Sequence, residues 1–362
     1  MKRMKLQRMV VSAVALGLLV AAHVAGAGEE IEREPVERWW ISEAAALENQ
    51  ADLKADFDGN GFADLAVGAP WEDVGPAIDS AGALSAFYWN SNSSQPSSGD
   101  SWLQGATGST FSESDDRFAE VLVAGDFNGD GVYDLAIGVP HEDLETQPDA
   151  GMVQVLYGLY GTGLTLTGNQ YFHQDVSGIP GVLEEGDLFG YSLAAGDFDN
   201  DGYDDLAVGV PMEDWSTVVN AGMVHVFWGG SSGVDDGDQS FSQESLSLNG
   251  TAEHFDEFGR TLAVSDFNGD GYDDLAVGVP MEDIDTTENA GWVTLLFGTS
   301  GLISYDNAIV FQHSAGTGQS AEDNDRFGWA VAAVPAQSAA EDLIMTDGFE
   351  SADTSGWSST VP

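Results

Sequence analysis

The chain has 362 residues, with 61 Asp and Glu against 10 Lys and Arg, a formal net charge of −51 at pH 7 and no cysteine. A surface this acidic repels nucleic acid and anionic membranes. Without cysteine, no disulfide can staple the fold and no thiolate can hold zinc.

Residues 1–27 read as a secretory signal peptide. Lys2, Arg3, Lys5 and Arg8 form a basic start, 14 residues from Met9 are apolar apart from Ser12, and Ala25-Gly26-Ala27 offers a small-residue cleavage site. A membrane anchor needs nearer ~20 apolar residues, so cleavage and export are expected, without membrane insertion afterwards. Cleavage leaves six basic residues against 61 acidic ones, a formal charge of −55. Residues 28–50 follow, and the adjacent Trp39 and Trp40 are more than a bare linker requires.

Residues 51–334 are built on one sentence written four times. Residues 125–143 read GDFNGDGVYDLAIGVPHED, and close copies begin at Ala55, Gly196 and Ser265. Their opening acids Asp56, Asp126, Asp197 and Asp266 are spaced by 70, 71 and 69 residues, the signature of a repeat architecture.

Each copy places oxygen-bearing side chains at positions 1, 3, 5 and 9, with Gly at position 6 for a sharp turn. The four sets are Asp56, Asp58, Asn60, Asp64; Asp126, Asn128, Asp130, Asp134; Asp197, Asp199, Asp201, Asp205; and Asp266, Asn268, Asp270, Asp274. A backbone carbonyl is expected at position 7, from Phe62, Val132, Tyr203 and Tyr272. An acidic turn capping a hairpin would use similar residues, but four copies with one ligand spacing favour metal. Two carboxylates about 5 Å apart repel by roughly 3 kcal/mol at an effective dielectric of ~20, and no basic residue stands in the loops. Hard oxygen donors suit Ca²⁺, at about four sites. Gly202 at position 6 is expected at positive φ, while Asp204 at position 8 is outside the ligand scheme and is expected to be inert to substitution.

Four short strands per repeat follow from the pattern. First strands are predicted at 121–124, 192–195 and 261–264, and second strands at 135–139, 206–210 and 275–279, ended by Pro140, Pro211 and Pro280. Third strands are predicted at 152–157, 223–228 and 292–297, and fourth strands around 171–174, 241–243 and 309–312. No helical periodicity interrupts them. The fold class is all-β, a β-propeller of four-stranded blades with four full repeats and a partial fifth.

Phe189-Gly190, Phe258-Gly259 and Phe327-Gly328 precede first strands, and Gly68-Ala69-Pro70, Gly138-Val139-Pro140, Gly209-Val210-Pro211 and Gly278-Val279-Pro280 follow the loops. With the D-x-[DN]-x-[DN]-G-x-x-D loops, these resemble the FG-GAP repeat of integrin alpha chains and of exported bacterial proteins. The resemblance implies a propeller holding Ca²⁺ through the loop residues named above, ligand contact from the face opposite the loops, and extracellular adhesion or binding. This chain departs from it at Phe118-Ala119, in lacking the Phe-Gly pair in the first repeat, and in losing the loop of the fifth after Val334.

Residues 335–362 hold a degenerate strand, Leu343-Ile344-Met345, and an acidic Ser/Thr-rich tail. Residues 36–42 are expected to supply a strand that closes the partial last blade into a ring of about five blades; the alternatives are an open arc completed by a second molecule, or a capping segment on the first blade. The paired Glu72-Asp73, Glu142-Asp143, Glu213-Asp214 and Glu282-Asp283 read as structural turns or secondary cation contacts, since adjacent strand residues point to opposite faces. The Ser residues sit in turns and not in a strand-to-helix nucleophile elbow, and His does not recur in equivalent places. The expectation is therefore a secreted or cell-surface, calcium-binding adhesion module with an extracellular protein or glycan ligand, and no enzyme. The alternatives are an enzyme, an accessory domain of a hydrolase, or a purely structural surface protein.

Overall fold

Short runs such as Asp-Leu-Ala-Val-Gly-Val are apolar on both faces, so they are stable as strands only when covered from both sides. The structure, a computed structural model, describes residues 55–75, 78–91, 93–104, 112–174, 176, 179–235, 238–245, 251–310, 320–333 and 343–346. The expected signal peptide, the strand at 36–42 and the tail beyond 346 lie outside these residues.

The first sheet contains β1 (Leu65–Ala69), β2 (Ala83–Tyr88) and β3 (Ser98–Trp102). The second contains β4 (Val121–Gly125), β5 (Asp134–Val139), β6 (Met152–Leu159) and β7 (Gly163–Phe172). The third contains β8 (Ser192–Gly196), β9 (Asp205–Val210), β10 (Met223–Phe227) and β11 (Asp238–Phe241). The fourth contains β12 (Thr261–Ser265), β13 (Asp274–Val279), β14 (Trp292–Thr299) and β15 (Leu302–Val310). A pair, β16 (Ala330–Ala333) and β17 (Leu343–Thr346), ends the described residues. Every pairing is antiparallel and joins strands adjacent in sequence.

The chain is thus an all-β domain of repeated antiparallel sheets. First, second and third strands fall within two residues of their predicted bounds in repeats two to four. The fourth strands β7 and β15 begin earlier than predicted, near Gly163 and Leu302. Residues 166–168 of β7 are exposed, so this outermost strand lacks the apolar alternation by which strands are recognised.

The core lies between successive sheets. Ala194, Val224 and Phe241 pack with Leu262, Leu275, Val277 and Leu296 across one junction, and Val153, Val155 and Phe172 pack with Leu193, Leu206 and Val208 across another. This two-sided cover leaves β5, β9 and β13 buried along their whole length.

The Phe-Gly and Gly-x-Pro elements meet at these junctions. Phe118, Phe189 and Phe258 are fully buried and form parallel bridges to Gly82, Gly151 and Gly222 of the preceding repeat. A Cβ on Gly138 would lie 2.4 Å from the Gly190 carbonyl oxygen, and one on Gly209 or Gly278 would lie 2.2 Å from that of Gly259 or Gly328. These second strands are glycine because the next repeat's backbone occupies the place of the side chain. Gly190, Gly259 and Gly328 have φ of 85°, 87° and 89°, and Ala119 takes 64° at the equivalent position, where an L side chain is disfavoured.

Gly209→Ala is expected to cost more than about 2 kcal/mol, because the new methyl meets backbone that cannot swing away. Gly230→Ala, whose Cβ would find its nearest neighbour at an ordinary 3.8 Å, should cost less than about 0.5 kcal/mol. Urea unfolding of the two variants checks this, and equal destabilisation would contradict the packing argument.

Candidate metal centre

The second, third and fourth loops run from the end of a first strand to the start of a second, the first loop leads into β1, and the acids of each loop fold it. The position-1 carboxylate accepts the amides of positions 5 and 6: Asp126 from Asp130 at 3.1 Å and Gly131 at 2.9 Å, and Asp197 from Asp201 at 3.0 Å and Gly202 at 2.9 Å. Asp56 and Asp266 do the same in the first and fourth loops. The position-3 side chains Asp58, Asn128, Asp199 and Asn268 accept the position-5 amide. The position-5 side chains Asn60, Asp130, Asp201 and Asp270 accept the amides of Phe62, Val132, Tyr203 and Tyr272.

At position 6, Gly61, Gly131, Gly202 and Gly271 have φ between 81° and 93°, and a Cβ there would meet nothing within 4 Å. Conformation rather than space requires glycine. The expectation for Gly202 holds, with φ 93°.

Position 9 reaches further. Asp134 is fully buried; one of its oxygens accepts the Phe127 amide at 3.0 Å and the other the Gly158 amide at 2.9 Å, at the end of the third strand, which lies beside the start of the second. Asp64, Asp205 and Asp274 repeat this with Phe57 and Trp89, Phe198 and Gly229, and Phe267 and Gly298. Burial pushes these carboxyls up, Asp64 and Asp274 to about 6 and Asp134 and Asp205 to about 8, against the pull of the amide hydrogen bonds. The neighbouring position-1 acids raise them further. A cation would reverse this balance by favouring the charged form.

Two of the four loops gather a full acidic triad. Asp56, Asp58 and Asp64, and likewise Asp197, Asp199 and Asp205, each bring one oxygen to within 4.8 Å of the others, a spacing that could coordinate a metal ion. Asn replaces the position-3 acid in the second and fourth loops. Asp201, expected as a fourth ligand, is outside the third loop's triad and is engaged with the Tyr203 amide.

Position 8 corrects the sequence reading. The Asp204 carboxylate accepts the amide of Asp126 in the preceding repeat at 2.7 Å, and Asp273 accepts that of Asp197 at 3.1 Å. The amides of Tyr133, Asp204 and Asp273 in turn donate to the carbonyls of Asp56, Asp126 and Asp197. Position 8 therefore stitches each loop to its predecessor. Its partner is about one repeat distant in sequence, beyond the reach of any local pattern.

The opposite end of the sheets carries a different chemistry. The Lys and Arg among the described residues are Arg117, Arg260 and Arg326, and all three stand just before a first strand, away from the loops. The Arg117 guanidinium lies 4.3 Å from the centre of the Trp71 ring, which is 54% exposed, and 3.0 Å from Nε2 of His141. Arg260 lies 4.1 Å from the Trp329 ring and donates to the Tyr191 hydroxyl at 3.0 Å.

Of each Glu-Asp pair, the acid read as a turn is split in role. Asp143, Asp214 and Asp283 accept the amides of Asp149, Asn220 and Asn289 and close the turn. Glu142, Glu213 and Glu282 are buried and accept from the amides of Gln104, Gln174 and Gln243.

Residues 51–87, 118–156, 189–227 and 258–296 match the family described as FG-GAP repeat. The chain carries FG-GAP repeats. The matches contain the four loops and their flanking strands, and they relate the chain distantly to integrin alpha chains. Integrin alpha-PS5 of Drosophila melanogaster is 33% identical over 168 residues, 45% of this chain and 15% of that protein. Phosphatidylinositol-glycan-specific phospholipase D of Bos taurus is 32% identical over 166 residues, 46% of this chain and 19% of that protein. The chain thus spans less than a fifth of the length of these relatives. Among solved structures, the exotype rhamnogalacturonan lyase YesX matches with a TM-score of 0.39 and 14% identity, over 74% of this chain and 48% of the lyase. A Bacillus licheniformis rhamnogalacturonan lyase matches with a TM-score of 0.39 and 13% identity, over 77% and 50%. The phospholipase D match corrects the sequence-based exclusion of an enzyme: a protein similar to this chain over these repeats is an enzyme, so the repeats and the lack of a strand-to-helix nucleophile elbow do not rule catalysis out.

Asp204→Ala is expected to lower stability by about 1.5–3 kcal/mol, the usual worth of a hydrogen bond to a charged group, as it strands the Asp126 amide. Chemical denaturation measures it, and a variant as stable as the parent would show that the stitch is immaterial.

Proposed function

We propose that the FG-GAP repeats form a calcium-stabilised β-propeller, exported from the cell, that serves as a ligand-binding or accessory module beside a glycan-processing activity. The observation that carries the reading is the polarity of the repeat, with acid loops at one end and Trp71-Arg117-His141 at the other. Arg117 covers one face of the Trp71 ring, and the exposed remainder of the ring fits a sugar whose carboxylate meets the guanidinium, so the ligand proposed is an acidic glycan, held by this short-range contact against the long-range repulsion of the acidic chain. The accessory role is supported by the phospholipase D relative, in which the matched stretch is 19% of the protein and leaves most of that chain for other work. Calcium is favoured by the all-oxygen donor set, with the four loops as four sites and the position-7 carbonyls as further ligands. Residues 1–27 supply the export signal in this reading, and residues 36–42 the strand that completes the last blade.

The test is binding of the purified chain to polyuronate and to neutral polysaccharides, with product release followed in the same samples. Polyuronate is expected to bind in calcium, with affinity falling about tenfold or more in Trp71→Ala and in Arg117→Gln while the melting temperature holds, corresponding to at least ~1.4 kcal/mol. Equal binding to neutral glycans, or binding indifferent to both substitutions, would contradict the assignment. Release of shortened chains would make the role catalytic rather than accessory.

A further inference from the structure

The buried acids at the end of the sheets opposite the loops have no part in the function just proposed. In the third repeat, Glu213 follows β9, Gln174 follows β7 of the preceding sheet, and Asp187 lies two residues before Phe189. In the fourth, Glu282, Gln243 and Asp256 hold the equivalent places. All six side chains are at least 96% buried.

The charges that act most strongly on each Glu are negative. On Glu213 these are Asp187, Glu184 and Asp214, and on Glu282 they are Asp256 and Glu253. Asp256 and Glu282 are close enough to share a side-chain hydrogen bond. One oxygen of each Asp is fixed by a backbone amide, Glu184 to Asp187 at 2.8 Å and Glu253 to Asp256 at 2.6 Å, which leaves the other oxygen of each free of that bond.

The amides supply an independent observation. Gln174 and Gln243 donate through Nε2 to Glu213 and Glu282, yet their Oε1 atoms are buried with no hydrogen-bond partner. Oε1 shares its carbon with Nε2, so it is held beside the same carboxylate. A buried acceptor without a partner is destabilising, and the same flaw in two successive repeats calls for a missing partner. A proton shared between the two acids would neutralise one charge and leave the amide oxygen as it is. A hard cation meets both needs, since it takes carboxylate and amide oxygens together.

We propose that Gln174, Asp187 and Glu213, and likewise Gln243, Asp256 and Glu282, each hold a divalent cation at the end of the repeat opposite the loops. These two sites link consecutive sheets, since the Gln comes from one sheet and the Glu from the next. They are independent of the loop sites and of any glycan.

Equilibrium dialysis of the full chain with calcium, and separately with magnesium, tests this by counting ions per chain. Glu213→Gln and Glu282→Gln, nearly isosteric, are each expected to bind one ion fewer than the parent, and Asp199→Asn is the control that perturbs a loop only. An unchanged count in both Glu variants would overturn the proposal, whatever the loop variant does. Where a variant fails to fold, the parent labelled with ¹³C at Glu side-chain carboxyls gives the answer. Two buried Glu carboxyls, outside the loops, should shift on adding cation at constant pH. Resonances that titrate with pH identically with and without cation would identify protons as the occupants and refute the cation sites.

Discussion

The buried aspartate at position 9 is the constraint on which each repeat depends. It sits at the first residue of the second strand, and its two oxygens reach opposite ways, to the loop's second amide and to the end of the third strand. One carboxylate thereby fixes the loop, both strands that flank it and their register. The arrangement is costly when metal-free, because burial favours the protonated form, which can no longer accept at both oxygens as well. A cation beside the position-1 and position-3 acids would return the charge that this geometry uses.

The loops do not act alone, because the repeats are stitched at both ends. At the loop end, position 8 exchanges hydrogen bonds with position 1 of the preceding repeat. At the other end, the Phe-Gly element of one repeat lies on the Gly-x-Pro element of its predecessor, with backbone where a side chain would be. Tyr133 stands at position 8 of the second repeat, so its junction with the first has the backbone half of the stitch without the carboxylate. Ala119 at a positive φ marks the same junction. Both departures from the repeated sentence therefore fall at one place.

What was legible in the sequence was what repeats within a short window. Positions 1, 3, 5, 6 and 9 are bound to one another inside each loop, so their spacing alone announced the turn, the glycine and the strand that follows. The inner three strands were legible because both their faces are buried. The outer strands were not, because β7 faces solvent over its polar middle. Asp204 was misread because its partner belongs to another repeat. Glu213 and Glu282 were legible as turns or secondary cation contacts, but their Gln and Asp partners were not, for the same reason, although Gln104, Gln174 and Gln243 recur at the repeat period, as do Asp116, Asp187 and Asp256 two residues before each Phe. Residues that recur without a local partner are the signal that would have found them.

The central claim is that bound calcium sets the stability of the repeats, and a thermal melt of the full chain in excess calcium and in excess chelator tests it most directly. At 100 times the dissociation constant each site adds about 2.7 kcal/mol, so four sites predict a melting temperature lower by about 10 °C or more in chelator. Identical melts in the two buffers, with no metal found in the untreated protein by elemental analysis, would contradict it.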